Sequence, residues 1–96
     1  MSRYVLSPKA ASDLDEIWDH TQTHWGDAQA ESYIRDIQRV IEGAVEDPRR
    51  GRPCDHIRTG YFKLSVGSHV IFYRLVGVEL DVIRILHQRM DFDRHL

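Results

Sequence analysis

Residues 27–48 read DAQAESYIRDIQRVIEGAVEDP, and this stretch decides the fold. Its apolar side chains recur every three or four residues, the period that places them on one face of an α-helix. They are Ala30, Tyr33, Ile34, Ile37, Val40, Ile41, Ala44 and Val45. Pro48 ends the pattern, because proline lacks the N–H that a helix interior needs. The stretch therefore predicts an amphipathic helix whose apolar face packs against another element.

The chain before this helix predicts a strand and a second helix. Residues 3–6 have strand composition, and Ser7 with Pro8 supplies a capping hydroxyl followed by proline at the first helical position. Helical spacing continues through Ala10, Leu14, Ile17, Trp18 and Trp25. Gly26 suits the end of this helix, and Asp27 is placed to cap the next one. Two helices joined so closely must pack antiparallel.

The chain after the second helix changes its period from 3.6 to 2. Residues 47–60 hold two prolines, two glycines and four arginines, and they predict a loop. Gly67-Ser68, with glycine first, predicts a type II′ turn between two strands. The predicted strands are residues 61–66, 69–76 and 80–87, and a charged tail follows at 88–96. The order of elements predicts a single α+β domain over residues 1–96: an N-terminal strand, an antiparallel helical hairpin and a three-stranded antiparallel meander. The strands are predicted to form one antiparallel sheet whose apolar face packs on the helical hairpin.

The register of the last strand depends on the length of the second hairpin loop. Pairing across the first turn places Phe62, Leu64, Ile71 and Tyr73 on one face. A three-residue second loop adds Ile83 and Ile85 to that face, whereas a two-residue loop turns the last strand over. We prefer the three-residue loop, because it separates apolar from cationic side chains. The opposite face then gathers Lys63, Arg74 and Arg84.

Composition narrows the class of protein. With 42% apolar and 29% charged residues, the chain is typical of a globular domain, and it has no apolar run of the roughly 18 residues that a membrane span needs. Residues 1–4 lead directly into patterned sequence, so we expect no secretory signal. Cys54 is the only cysteine and cannot form an internal disulfide. We expect a cytoplasmic protein with no cofactor and no membrane partner.

Charge is distributed unequally along the chain. Residues 1–48 carry four basic and ten acidic side chains, whereas residues 49–96 carry nine basic and five acidic ones. The second half is therefore the natural place to seek an anionic partner, unless folding brings the two halves together and removes the asymmetry. The cations Arg58, Lys63, Arg74, Arg84 and Arg89 could bind phosphates or carboxylates on a solvated sheet face, or simply form surface ion pairs.

Four histidines are candidates for chemistry. His20 and His24 have the helical spacing of a two-histidine metal site, but no third ligand is evident, so no metal site is predicted. His69 and His87 should lie on neighbouring strands. An imidazole beside arginines could act as an acid or base on RNA, or it could be a buried side chain bonded to the backbone or to tyrosine.

The order of short motifs resembles the ParE branch of the RelE/ParE toxin superfamily over essentially the whole chain. These motifs are Tyr4-Val5-Leu6-Ser7, Asp13-Leu14, Trp25-Gly26, Arg58-Thr59-Gly60-Tyr61, residues 68–74 and residues 85–91. The resemblance implies a small antiparallel sheet on a helical hairpin. It also implies a toxin of a bacterial type II toxin–antitoxin system that causes growth arrest. A ParD-like antitoxin would neutralise it in a hetero-oligomer.

ParE-branch toxins typically inhibit DNA gyrase by binding, so the resemblance implies a protein that is not an enzyme and does not bind nucleic acid sequence-specifically. The alternative is a RelE-like ribosome-dependent mRNA endoribonuclease. The RelE branch often uses a tyrosine near the end of the chain, and here the last tyrosine is Tyr73.

Three sets of residues follow as expectations. The predicted target-binding residues are Arg58, Arg74, Arg84, His87 and Arg89. The predicted antitoxin-binding residues are Trp18, Trp25, Tyr33, Lys63 and Tyr73, on the helical hairpin and the open side of the sheet. If the protein is an RNase, the expected catalytic residues are Arg84, His87 and Arg89.

Overall fold

The computed structural model describes residues 3–96, so Met1 and Ser2, on which the expectation about a secretory signal partly depends, lie outside the described residues. The helices are α1 (Pro8–Trp25), α2 (Asp27–Glu46) and the short α3 (Phe92–His95). The strands are β1 (Tyr4–Leu6), β2 (Arg52–Pro53), β3 (Phe62–Val66), β4 (His69–Val76) and β5 (Glu79–His87), and a 3₁₀ turn spans Pro48–Arg50. The predicted helical hairpin is present.

A single glycine joins the two long helices. The Ser7 hydroxyl accepts a hydrogen bond from the Ala10 N–H at 3.0 Å and caps α1 as predicted. Gly26 has φ = 90°, a backbone conformation that residues other than glycine rarely adopt. Gly26 is also the N-cap of α2, so the prediction that Asp27 caps this helix is wrong, and Asp27 is its first residue.

The sheet is mixed, which corrects the prediction of a purely antiparallel one. Its strand order is β1-β5-β4-β3-β2, and β1 runs parallel to β5. β3, β4 and β5 form the predicted antiparallel meander. A three-residue strand carries no pattern that specifies its partner, and the two residues of β2 are too few to show a period. Because β2 and α3 are both too short to show a period, the sequence predicts only a loop and a charged tail at their positions.

The sheet face toward α1 and α2, here called the front face, carries the larger core. Buried residues of this core are Ala10, Ile17, Ile37, Ile41, Ala44, Val66, Ile71, Tyr73, Leu80, Val82 and Ile85. Phe62 and Leu64 pack against it, and Phe62 stacks on Tyr73 with ring centroids 5.5 Å apart. The four predicted front-face residues of β3 and β4 therefore share a face, as the pairing across Gly67-Ser68 requires.

The second hairpin differs from both predicted registers. Its loop has two residues, since Val76 pairs with Glu79, but β5 has a bulge opposite the step from Phe72 to Tyr73, and Ile83 is left without a partner in the ladder. One extra residue reverses the facing of the rest of the strand. Ile85 consequently lies in the front core as predicted, whereas the prediction that Ile83 joins it is wrong.

The opposite, back face is a second core and not the open cationic surface that the preferred register predicted. Cys54, Val70, Phe72 and Leu86 are buried there. Ile57, Tyr61, Phe92 and Leu96 pack over them from the 54–61 loop and the end of the chain. Phe92 meets Phe72 edge to face, with ring centroids 4.9 Å apart.

Candidate partner-binding surface

Arg84 is held in a nearly buried ion pair. Its Nε and Nη2 atoms each lie 2.8 Å from a carboxylate oxygen of Asp13 on α1, and the two side chains are 16% and 10% exposed. Asp13 also accepts the N–H of Ile85 at 2.9 Å, and Arg84 donates to the His95 carbonyl at 3.2 Å. The guanidinium therefore connects α1, β5 and the end of the chain. Arg84 therefore does not lie on the open cationic face that the preferred register predicted.

The other predicted target-binding cations do not form one cluster. Arg74 lies 3.9 Å from Asp81 near the β4–β5 turn, while exposed Arg89 follows β5 at its far end. The six residue steps of strand from Asp81 to His87 span roughly 20 Å. Arg58 lies in the 54–61 loop, where its Nε donates to the Leu96 carbonyl at 3.1 Å. Within residues 3–96 the predicted target-binding cations therefore do not form a single basic face.

The predicted antitoxin-binding aromatics differ widely in exposure. Trp25 is 73% exposed and Trp18 is 36% exposed, so both are available to a partner. Tyr73 is fully buried, which contradicts its predicted place on a binding surface. Its hydroxyl donates to the Pro48 carbonyl at 2.6 Å and accepts the Gly51 N–H at 3.0 Å, and burial raises its pKa.

Lys63 is partly buried on the back face. It pairs with Arg52 of β2 on one side and with Phe72 of β4 on the other. The thiol of Cys54 is close enough to respond to the charge of Lys63, although burial still raises the pKa of that thiol overall. Lys63 therefore lies on the opposite side of the sheet from Trp25 and Tyr33, so one small surface does not unite the predicted antitoxin-binding residues.

A cleft opens between the helical hairpin and the far ends of β4 and β5. His20, Thr21, His69 and His87 line both of its adjoining parts, and we call it the histidine cleft. The first part, about 290 Å³, runs beside β5 between Glu16 and Ile17 of α1 and Met90. The second part, about 340 Å³, is also lined by Trp25, Gln29, Tyr33 and Ser68.

Tyr33 fixes the histidine on the floor of this cleft. Its hydroxyl lies 2.6 Å from Nδ1 of His69, accepts the Ser68 N–H at 3.1 Å and lies 3.1 Å from the Val66 carbonyl. His69 was predicted either to act as an acid or base on RNA or to be bonded to the backbone or to tyrosine, and the structure shows its imidazole bonded to Tyr33. Burial lowers the pKa of His69, and the nearby His87 and His20 lower it further. The lowered pKa favours the neutral form of the ring.

His87 lies beside His69, because the two residues are paired on the neighbouring strands β4 and β5. The two rings meet edge to face with centroids 5.4 Å apart. Nδ1 of His87 accepts the Arg89 N–H at 3.2 Å. The cleft thus brings together His87, Tyr33 and Trp25 from the predicted sets, together with His20 and His69.

Within residues 3–96 no group of three histidine, cysteine or acidic side chains could hold a metal ion. His24 bonds through Nδ1 to the backbone carbonyl of His20 at 2.8 Å. None of the helices in the described part of the chain combines the length and apolarity that crossing a membrane requires.

Sequence reasoning overlooked Asp13, yet the chain contains a signal for it. Asp13 lies three residues after Ala10 and four before Ile17, so it falls on the stripe of α1 that faces the core. A charged residue on such a stripe is rarely buried without a partner. The stripe therefore predicts a buried ion pair, although it does not identify Arg84 as the partner.

Comparison with known proteins places these features in a family. The model of the family described as the ParE toxin of the type II toxin–antitoxin system parDE matches residues 4–92. Toxin ParE1 of Mycobacterium tuberculosis strain H37Rv is 57% identical over 96 residues, which cover 99% of this chain and 98% of that protein. Toxin ParE1 of Caulobacter vibrioides is 46% identical, covering 100% of this chain and 99% of that protein.

A solved structure supports the same relationship. One chain of the chromosomal ParDE toxin–antitoxin system from P. aeruginosa superposes with a TM-score of 0.78 at 26% identity. The match covers 91% of this chain and 96% of that one. The resemblance inferred from the order of short motifs is thereby confirmed, and this chain belongs to the ParE toxin family of type II toxin–antitoxin systems.

Proposed function

We propose that this toxin inhibits DNA gyrase by binding it and that a ParD-like antitoxin neutralises it in a hetero-oligomer. Membership of the ParE family supports the toxin role. The neighbouring structure is titled as a ParDE system, which supports an antitoxin of the ParD type. Because gyrase acts on DNA in the cell interior, the proposed site of action is the cytoplasm.

The position of Arg84 favours a toxin that acts by binding over one that acts as an RNase. The RNase alternative requires Arg84, His87 and Arg89 to converge on a scissile phosphate. Arg84 instead makes two hydrogen bonds to Asp13 and one to His95. Moving it toward RNA would leave the carboxylate of Asp13 buried without its partner, which costs about 3 kcal/mol or more. This arrangement favours a protein that acts through its surface.

The surfaces for the two partners are proposed separately. The histidine cleft with Trp18, Trp25 and Tyr33 is the proposed antitoxin side, since it combines exposed aromatic rings with a concave, largely apolar lining. Arg89 and His87 at the cleft's end, and Arg58 and Arg74 elsewhere, remain the proposed target contacts. A planar guanidinium suits carboxylates on a protein target, because it can bind them at two points.

Inducible expression in bacteria tests the toxin role and separates the two targets. Growth should stop on induction and resume when the antitoxin is co-expressed. Incorporation of labelled thymidine should fall before that of labelled methionine, because blocked gyrase stops replication first. Early loss of methionine incorporation, with cleaved mRNA, would instead support the RNase alternative.

A further inference from the structure

The sheet ends at β1 on one side and at β2 on the other. β2 is two residues long and contains Pro53, which lacks the N–H that a further strand would need. β1 contains neither proline nor a charged residue, and both are devices that keep strand edges from pairing. Of the two edges in the described part of the chain, β1 is therefore the one that is open to a further strand.

The outward main-chain groups of β1 can be identified from its bonds to β5. The Arg3 carbonyl accepts a hydrogen bond from β5 at 3.3 Å, and the Ser7 N–H donates one to β5 at 2.9 Å. The N–H and C=O of one strand residue point to the same side, and residues two apart repeat that direction. Tyr4 and Leu6, which alternate with these residues, therefore direct their N–H and C=O groups away from β5.

The side chains of β1 alternate between the two faces of the sheet. Tyr4 and Leu6 pack against the front core. Val5 lies between them, so its side chain points to the back face, where it is 46% exposed. The outer edge of β1 thus offers two N–H groups, two carbonyls and one exposed aliphatic side chain.

We propose that β1 pairs antiparallel with β1 of a second copy of this chain, with the two Val5 residues facing each other across a twofold axis. In this register Tyr4 lies opposite the partner's Leu6, and the outward groups of these residues form four hydrogen bonds about the axis. A twofold contact requires a surface that is complementary to itself, and a strand edge with this alternation meets that requirement. The two five-stranded sheets then form one continuous sheet.

The contact should be weak, because only three residues of each copy belong to the paired strands. Specific interfaces commonly involve about 20 residues on each side, and association must offset the loss of translational and rotational freedom. We therefore expect a dissociation constant on the order of 100 µM. The dimer would form where the toxin is concentrated and would bring two histidine clefts into one assembly.

Disulfide trapping tests the register directly. Facing residues of a non-hydrogen-bonded antiparallel pair have Cα atoms about 4.5 Å apart, a separation that a disulfide can span. Under mild oxidation, Val5→Cys should form a covalent dimer at least about tenfold faster than Val78→Cys. Val78 is 82% exposed, so chance encounters alone would favour the second variant. Equal rates, or a faster reaction of Val78→Cys, would overturn the pairing.

A charge at the centre of the contact should abolish the dimer. Val5→Lys places two like charges at facing positions, which destabilises a strand pair. Val78→Lys adds the same charge at the β4–β5 turn and is the control. In sedimentation equilibrium at about 1 mM, the unchanged toxin and the control should be mostly dimeric, and Val5→Lys should be monomeric. A monomeric unchanged toxin would overturn the proposal, as would a dimer that is lost in Val78→Lys but kept in Val5→Lys.

Hydrogen exchange of single amides locates the contact within the chain. The Leu6 N–H points outward, whereas the Val5 N–H points toward β5 and serves as an internal reference. A dissociation constant of about 100 µM leaves about a fifth of the toxin free at about 1 mM, so exchange at Leu6 should slow about fivefold between about 10 µM and 1 mM. Exchange at Leu6 that does not depend on concentration, in a toxin that sediments as a dimer, would place the contact elsewhere and overturn the inference.

Discussion

The two faces of the sheet are both covered, but by different kinds of structure. Two long helices cover the front face with residues at regular spacing, such as Ile37 and Ile41 of α2. The back face is covered by a loop and a single helical turn, which contribute Ile57 and Phe92. In helices and strands the buried side can be predicted from the period of the apolar residues, whereas irregular segments have no such period. The back face is a second core rather than an open cationic face, because the segments that cover it show no period in the sequence.

The largest expected effect lies on the front face. Ile37→Asp places a charge in a position that is 0% exposed and should cost more than about 4 kcal/mol, close to the whole stability of a small domain. Cooperative thermal unfolding should disappear. Gln38→Asp, on the exposed side of the same turn, is the control and should melt normally. A cooperative transition in the Ile37 variant would contradict the role given to the front core.

The second effect concerns the ion pair at the sheet's edge. Asp13→Ala leaves Arg84 nearly buried without its carboxylate and should lower the free energy of unfolding by about 3 kcal/mol. Chemical denaturation measures this change. Asp15→Ala, an exposed neighbour on α1, should shift it by less than about 0.5 kcal/mol. Equal stability of the two variants would show that the pair contributes little.

The third effect tests the back face. Phe92→Ala should cost about 2 kcal/mol, less than at a fully buried phenylalanine because Phe92 is only half-buried. Removing its ring should also open a path to Cys54, which is 0% exposed, so the thiol should react faster with a labelling reagent. Arg94→Ala, which is exposed on the same turn, should change neither quantity. Unchanged thiol reactivity in the Phe92 variant would mean that α3 does not protect this core.

The smallest effect is a pH dependence within the histidine cleft. Burial and the neighbouring His87 and His20 lower the pKa of His69 in the folded protein. The unfolded chain then binds more protons than the folded one below about pH 6.5, so stability should decline as the pH falls from about 7 to 5. Asp13, Glu16, His20 and His87 also line the cleft, and the Tyr33 hydroxyl contacts His69 directly.

A variant separates the contribution of His69 from these other groups. His69→Asn keeps a hydrogen-bonding group close to the Tyr33 hydroxyl but does not titrate in this range. Its melting temperature should therefore depend less on pH between about 5 and 7 than that of the unchanged protein. His56→Asn, in the exposed loop, should leave the pH profile as it was. Identical profiles for the His69 variant and the unchanged protein would exclude His69 as the cause.

The same contrast describes what could be predicted from the sequence. The hairpin of α1 and α2 and the β3–β4–β5 meander followed from their periods and from Gly67-Ser68. The bulge at Ile83 did not, because one unpaired residue leaves the alternation on either side intact. The parallel pairing of β1 and the cover over the back face depend on contacts between segments distant in the chain. A local pattern does not specify such contacts.

The candidate site shows a similar division. The proximity of His69 to His87 could be predicted from the pairing of their strands. The buried positions of Tyr73 and Arg84 could not, because each depends on a partner far along the chain, Pro48 for one and Asp13 for the other. Residue type alone favours a binding role for tyrosine and arginine, and only the partner reveals a structural one.

DNA supercoiling by purified gyrase, in the presence of folded toxin, tests the central claim most directly. We predict that the toxin alone inhibits supercoiling or accumulates cleaved DNA, and that stoichiometric antitoxin restores activity. Undiminished supercoiling at a large excess of folded toxin, with no cleaved DNA trapped, would contradict the claim that this protein acts by binding gyrase.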